Sequence, residues 1–325
     1  MSMGEIDISW QALRRIVQEW AGTSAELAEF IPLHGGQINT TLELHLTDGR
    51  KVVIKVSPHR VDRSYEREAY QLTLLKSVGL PVPDVYRWKI GSLDDPVSYL
   101  LIEWIDGVDL GEAKKQCSAE DFDQLQRELA ELTAAMHANT ADKYMRVMAT
   151  CDASGGGGGG GGAGGDDRFE SWPKFYRSVY DPIWHEAEKD RHLPKACRKQ
   201  IGKLHERLER FLVHPDKPRL VHWDIWNTNV MCRRNADGKW RVAALLDPNC
   251  KYAHAEAEIA YMELFHTVTP AFLKAYQQHH KLSQDYQRFR KPIYQLYPLL
   301  NHVNLFGHDY LKPLIQAVER CASLV

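Results

Sequence analysis

The sequence predicts an α+β protein in two parts: a small N-terminal part with an antiparallel sheet and one main helix, and a larger, mainly helical C-terminal part. Three observations carry this. Apolar residues alternate on both sides of Asp48-Gly49, residues 61–77 switch to helical spacing, and helical patterns dominate after Asp106-Gly107. The expected parts are 1–106 and 107–325.

In SWQALRRIVQEW (9–20), Leu13, Ile16, Val17 and Trp20 recur at the spacing of an amphipathic helix. Leu42, Leu44 and Leu46, then Val52, Ile54 and Val56, mark two strands, and Asp48-Gly49 suits the turn of a hairpin. VDRSYEREAYQLTLLKS (61–77) reads as a helix, PVPDVYRWKI (81–90) as a strand bounded by prolines, and VSYLLIEWI (97–105) as a further apolar strand. Ser118, with Asp121 three residues on, caps a helix whose stripe is Phe122, Leu125, Leu129, Leu132 and Met136. Residues 155–165 are glycine apart from one alanine. They offer no apolar area to offset ordering entropy, so a flexible loop is expected, and they lack the lysine of a phosphate-binding glycine loop. Trp172 to Leu212 reads as helical, Leu220-Val221 as a short strand, Trp240 to Leu246 as the hairpin partner of the segment around 222–231, and the rest as helices.

A chain of 325 residues with 44% hydrophobic and 26% charged side chains is ordinary for a soluble globular protein. Its net charge of −2 offers no basic field for nucleic acid or an acidic membrane. No run is long and apolar enough for a membrane span, and the N-terminus has no signal-type apolar core, so a cytoplasmic monomer is expected. The six cysteines are scattered without a CxxC pair and read as reduced thiols.

The chemistry concentrates in LVHWDIWNTNVM (220–231) and VAALLDPN (242–249). An Asp with an Asn five positions later, on a loop after a short apolar strand, has the spacing of a kinase catalytic loop. Asp224 would orient the attacking hydroxyl and Asn229 would bind a metal ion. Asp247, emerging at the end of an apolar strand, is placed to hold Mg²⁺ across the phosphates of ATP. Lys55 in KVVIKV lies on the strand face opposite Ile54 and Val56 and needs a partner; Glu68 is favoured over Glu66 because it lies towards Tyr65 and Leu72. Gly35-Gly36 would let backbone amides approach phosphate, and Glu103 and Ile105 lie where adenine would meet the backbone.

These residues resemble the fructosamine-3-kinase (ketosamine kinase) family, within the aminoglycoside-phosphotransferase-like group and the wider protein-kinase-like fold. HWDIWNTN (222–229) is similar to the family's HGDLWSGN, and LDPNCKYAHAEAEIA (246–260) to its metal-binding segment. YQLYPLLNHVNLFGHDYL (294–311) resembles the family's tail almost residue for residue, and GGQIN (35–39) also fits. The resemblance implies a bilobal fold with Mg-ATP bound between the lobes. Asp224 would be the base, Asn229 and Asp247 the Mg²⁺ ligands, and Lys55 with Glu68 the nucleotide-anchoring pair. Trp226 would be a stacking platform for the acceptor sugar, with Glu256 also on the substrate side. The acceptor would be a small molecule or a glycated amine, and with a glycated amine the activity would be a form of deglycation. Trp223 departs from the family's glycine, and Asn227-Thr228 from its Ser-Gly. Two rival expectations stand: an aminoglycoside- or choline-type phosphotransferase with an acidic pocket drawn from Glu256, Asp309 and Asp181, and a nucleotide-binding scaffold without catalysis.

Overall fold

The computed structural model describes residues 8–33, 40–57, 61–148 and 167–324; the expected glycine pair Gly35-Gly36 and the run at 155–165 lie outside them. The chain divides into two compact units. The first takes the described residues up to Gly107 together with Met148 and Ala243–Pro248, and the second takes the remainder. Residues 243–248, expected in the C-terminal part, thus belong to the first unit, where the Leu245 amide donates to the Pro81 carbonyl at 2.8 Å.

In the first unit, helix α1 (Trp10–Ala21) is capped by Ser9, whose Oγ accepts from the Ala12 amide. Strands β1 (Leu27–Pro32), β2 (Thr40–Leu46) and β3 (Lys51–Ser57) precede helix α2 (Ser64–Ser77), and β4 (Val85–Lys89) and β5 (Ser98–Glu103) follow it. The sheet is antiparallel in the order β1-β2-β3-β5-β4. Leu42, Leu44, Leu46, Val52, Ile54 and Val56 are buried in one cluster with Leu13, Ile16 and Val17 of α1, so the period-2 and period-3.6 patterns meet in one core. Lys55, one residue out of phase with that apolar set, therefore points to the other face.

Strand β1 was not expected. Its burial pattern keeps only Leu27 fully covered and it ends in Pro32, so it carries neither alternation nor an apolar run. It is an edge strand, held by its register with β2 rather than by its own pattern.

The second unit opens with β6 (Val108–Asp109), α3 (Leu110–Gln116) and α4 (Ala119–His137), followed by β7 (Tyr144–Arg146) and β8 (Arg168–Phe169). Helices α5 (Trp172–Ala187), α6 (Lys195–Glu206) and α7 (Leu208–Leu212) lead to β9 (Arg219–Val221), β10 (Val230–Arg234) and β11 (Trp240–Leu245), the last crossing into the first unit. Then come β12 (Lys251–Ala253), α8 (Ala255–Leu264), α9 (Pro270–His279), α10 (Lys291–Phe306) and α11 (Leu311–Arg320). Strand order β8-β7-β12-β9 places β9 at a sheet edge, and the loop that follows it carries residues 222–229. Helix α4 is capped by Ser118, whose Oγ accepts from the Asp121 amide at 3.1 Å. Its covered face runs through Leu125, Leu129, Ala130, Thr133, Ala134 and Met136, leaving Phe122 and Leu132 half-buried. Helix α10 packs on α5, α8 and α11, and large aromatic side chains such as Trp172, Tyr176 and Tyr276 are fully buried. No helix among the described residues is long and apolar enough to cross a membrane.

The hairpin turn gives a clean test of backbone conformation. Gly49 sits at φ +89° and nothing lies within 4 Å of where a Cβ would go. Gly49→Ala should therefore cost about 1 kcal/mol through left-handed backbone strain alone. Gly49→Asn should cost less, and urea unfolding of the two variants checks the order.

Candidate active site

In the first unit, β3 and α2 bring Lys55 and Glu68 together, with Nζ donating to Oε1 at 2.5 Å. Glu66 instead pairs with Arg63 at 3.4 Å. The helical period explains the choice: Tyr65, Ala69 and Leu72 are buried, and Glu68 lies within that arc. Lys55 also donates to Asp247, which emerges just beyond β11 with its side chain 49% exposed. Burial opposes the Lys55 charge, but the two carboxylates outweigh it and hold its pKa above the usual ammonium value. Burial lifts Glu68 upward, with Lys55 opposing that and Asp247 adding to it. One cation thus serves two carboxylates, a cluster whose half-exposed member can exchange its partner.

Asp247 sits at φ +56°, a left-handed conformation unusual for a residue with a side chain. Glu103, at the end of β5, ties back to Asp84, whose amide donates to Oε2 at 3.1 Å. Ile105, two residues on, is half-buried beyond the strand.

In the second unit, the loop after β9 is built on a second left-handed residue, Trp223, at φ +69°. A tryptophan here, where a glycine would be at ease, still adopts the left-handed conformation, at a cost of about 1–3 kcal/mol. Helix α8 offsets that cost. Glu258, only 1% exposed, accepts the Trp223 amide on Oε1. Its Oε2 lies 2.8 Å from His137 Nε2, and His137 Nδ1 lies 2.7 Å from the Tyr276 hydroxyl. A proton on Nε2 lets the imidazole donate to the carboxylate while Tyr276 donates to Nδ1, which satisfies all three side chains. The Trp223 ring packs edge-on to Tyr297, and the Lys251 ammonium lies 4.6 Å from its centre.

The next residue, Asp224, is held by side chains at both oxygens. Tyr261 donates to Oδ1 at 2.5 Å, and Asn229 Nδ2 lies 3.2 Å from Oδ2 and 3.0 Å from the Asp224 carbonyl. With its amide nitrogen turned to Asp224, Asn229 offers its carbonyl oxygen as its ligand atom. Trp226 follows at 36% exposure, leaving an aromatic face open beside the loop.

Glu256 corrects the expectation of a substrate-side carboxylate. It is 5% exposed, accepts from the Ser283 amide at 2.7 Å and lies 3.2 Å from Arg290. A carboxylate this enclosed by its own partners is scaffold rather than acceptor pocket. Glu258 and Tyr261 were missed by the sequence reading. Helix α8 buries seven of its ten residues, and contacts distant in sequence decide which partner each polar side chain in it meets.

A further cluster, His214, Asp216 and His254, places ligand-type atoms within 4.8 Å of one another. Its internal wiring argues against a metal centre. Trp172 donates to the Tyr294 hydroxyl at 2.9 Å, leaving Tyr294 to donate to His254 Nδ1 at 2.8 Å and His254 Nε2–H to face Asp216 at 3.4 Å. The two imidazoles stack 3.7 Å apart at 18°, so their in-plane lone pairs run side by side instead of converging on one ion. Burial, with His254 adding to it, lowers His214 to about 3. The hydrogen bond from His254, against burial, lowers Asp216 to about 2. A histidine depressed in the fold gains its proton on unfolding, so its stabilisation is complete above about pH 6.5 and drains away as pH falls towards 3. For His214 the unfolding free energy should drop by about 2 kcal/mol between pH 6.5 and 5. His214→Gln should flatten that part of the curve in urea titrations.

The sequence profile described as fructosamine kinase matches residues 9–323. A probable ketoamine kinase of Enterococcus faecium is 29% identical, over 89% of this chain and 94% of its own length. The chloroplastic protein-ribulosamine 3-kinase of Oryza sativa subsp. japonica is 23% identical, over 93% of this chain and 82% of its own. Among solved structures, a candidate fructosamine-3-kinase of Thermobifida fusca superposes with a TM-score of 0.73 at 24% identity, covering 98% of this chain and 100% of that one. The aminoglycoside phosphotransferase APH(2")-IIa, solved with streptomycin and ATP, shares the fold at a TM-score of 0.61 and 14% identity, over 97% of each chain. With an α+β protein-kinase-like fold and a profile match running almost end to end, this chain belongs to the fructosamine kinase family.

Proposed function

We propose that this protein is an ATP-dependent phosphotransferase that moves the γ-phosphoryl group to a sugar hydroxyl of a ketosamine of the fructosamine or ribulosamine kind. The observation that carries the reading is Asp224, fixed at both carboxylate oxygens on a loop whose left-handed entry is tied down by Glu258. A base for phosphoryl transfer has to align one hydroxyl for in-line attack, which demands such positioning more than strong basicity.

The other roles follow from the same chemistry. Lys55, kept charged by its carboxylates, would grip the phosphates while Glu68 holds it in place. Asp247 and the Asn229 carbonyl are hard oxygen donors and suit Mg²⁺, which would neutralise charge on the phosphates. The backbone around Glu103 and Ile105 would receive adenine. Trp226 would stack on the acceptor sugar through its C–H face and leave the hydroxyls readable.

The aminoglycoside reading loses support at its acidic residues. Glu256 is enclosed by Arg290, and Asp181 lies 2.9 Å from His205 and 3.5 Å from Arg177, which leaves exposed Asp309 as the remaining candidate acid of the three. A polycationic acceptor needs several carboxylates that are not already neutralised.

With ATP, Mg²⁺ and fructosyl-lysine, mass spectrometry should detect a phosphorylated ketosamine. Asp224→Asn should lower turnover about a thousandfold with an unchanged thermal midpoint. Wild-type turnover in that variant would remove the assignment, and phosphorylation of kanamycin but no ketosamine would move the acceptor to the rival class.

A further inference from the structure

Tyr261 stands three residues after Glu258 in α8, so both side chains leave the helix on the same face. Glu258 takes the backbone amide of Trp223, and Tyr261 takes the carboxylate of the adjacent Asp224. One helical turn therefore fixes the main chain of one loop residue and the side chain of the next. We propose that Tyr261 is a positioning residue for phosphoryl transfer, setting the plane of the Asp224 carboxylate so that it meets the acceptor hydroxyl in line; this rests on reading Asp224 as the base.

The geometry supports a fixed donor. The 2.5 Å separation is at the short end for a hydroxyl on a carboxylate. Burial, followed by the charge of Asp224, pushes the Tyr261 phenol well above its ordinary range, so it stays protonated and donates. Tyr297 and Glu258 are the other titratable groups acting on the phenol. Its ring packs on Phe265 at 4.8 Å between centres, which leaves the hydroxyl little lateral freedom. Asn229 reaches the other carboxylate oxygen, so donors on both oxygens define the plane, and a donor on one alone would let the group turn about its last bond. A small misplacement of a reacting group can cost orders of magnitude in rate.

Tyr261→Phe keeps the ring and deletes the donor. Assayed with Mg-ATP and fructosyl-lysine, it should lower kcat about tenfold and leave the KM for ATP unchanged. A ring that only fills space would leave kcat untouched, and that result overturns the proposal. Should Tyr261→Phe fold poorly, 3-fluorotyrosine at 261 keeps shape and donor, whereas 4-fluorophenylalanine keeps the shape alone. The first should hold kcat within about twofold of wild type and the second lower it about tenfold, and equal kcat in the two overturns the idea. Asp224→Asn separates the two layers. If it remains active, the base reading itself fails; if it is inactive while Tyr261→Phe behaves as wild type, only the role of Tyr261 fails.

Discussion

The chemistry of the second unit depends on one hydrogen bond, from the Trp223 amide to Glu258. The left-handed turn at Trp223 presents Asp224, and a tryptophan does not adopt that conformation unaided. A charge-assisted bond of this kind contributes about 1.5–3 kcal/mol, comparable with the backbone cost it opposes. Glu258 can serve because α4 sends His137 to its other oxygen, with Tyr276 of α9 holding the far side of that imidazole, so the carboxylate is buried without being orphaned. The loop conformation is thereby written into the helical core rather than into the loop's own residues.

That division explains what the sequence disclosed. Lys55 and Glu68 were legible because each breaks a clear period: a lysine out of phase in a strand of Val and Ile, and an acid within the covered arc of a helix. Asp224, Asn229 and Asp247 were legible because their spacing and their place after apolar strands are local properties of the chain. The grip of α8 was not. Glu256 and Glu258 stand two apart in a helix buried nearly all round, and nothing local says which acid meets Arg290 and which meets the loop. Contacts spanning more than thirty residues decide that, and a single sequence does not display them.

The fold shows the same limit. Strands with an apolar face in the core announced themselves by alternation, whereas β1, mostly uncovered and ending in proline, is specified by its neighbour. Residues 243–248 fall within the range expected for the helical part, 107–325. The Leu245 amide instead bonds to the Pro81 carbonyl, and the segment carries Asp247 to Lys55.

The two acidic centres solve opposite problems. Around Lys55 two carboxylates share one ammonium, and Asp247 is half exposed, so the carboxylate at 247 is accessible to a divalent ion. At Asp224, the phenol of Tyr261 and the amide of Asn229 are neutral donors, which orient a carboxylate without adding an opposing charge. A lysine in place of Tyr261 would hold Asp224 as firmly but bring a positive charge against the carboxylate that, on the proposed reading, takes the acceptor's proton. A neutral phenol at that position fixes the aspartate without such a charge.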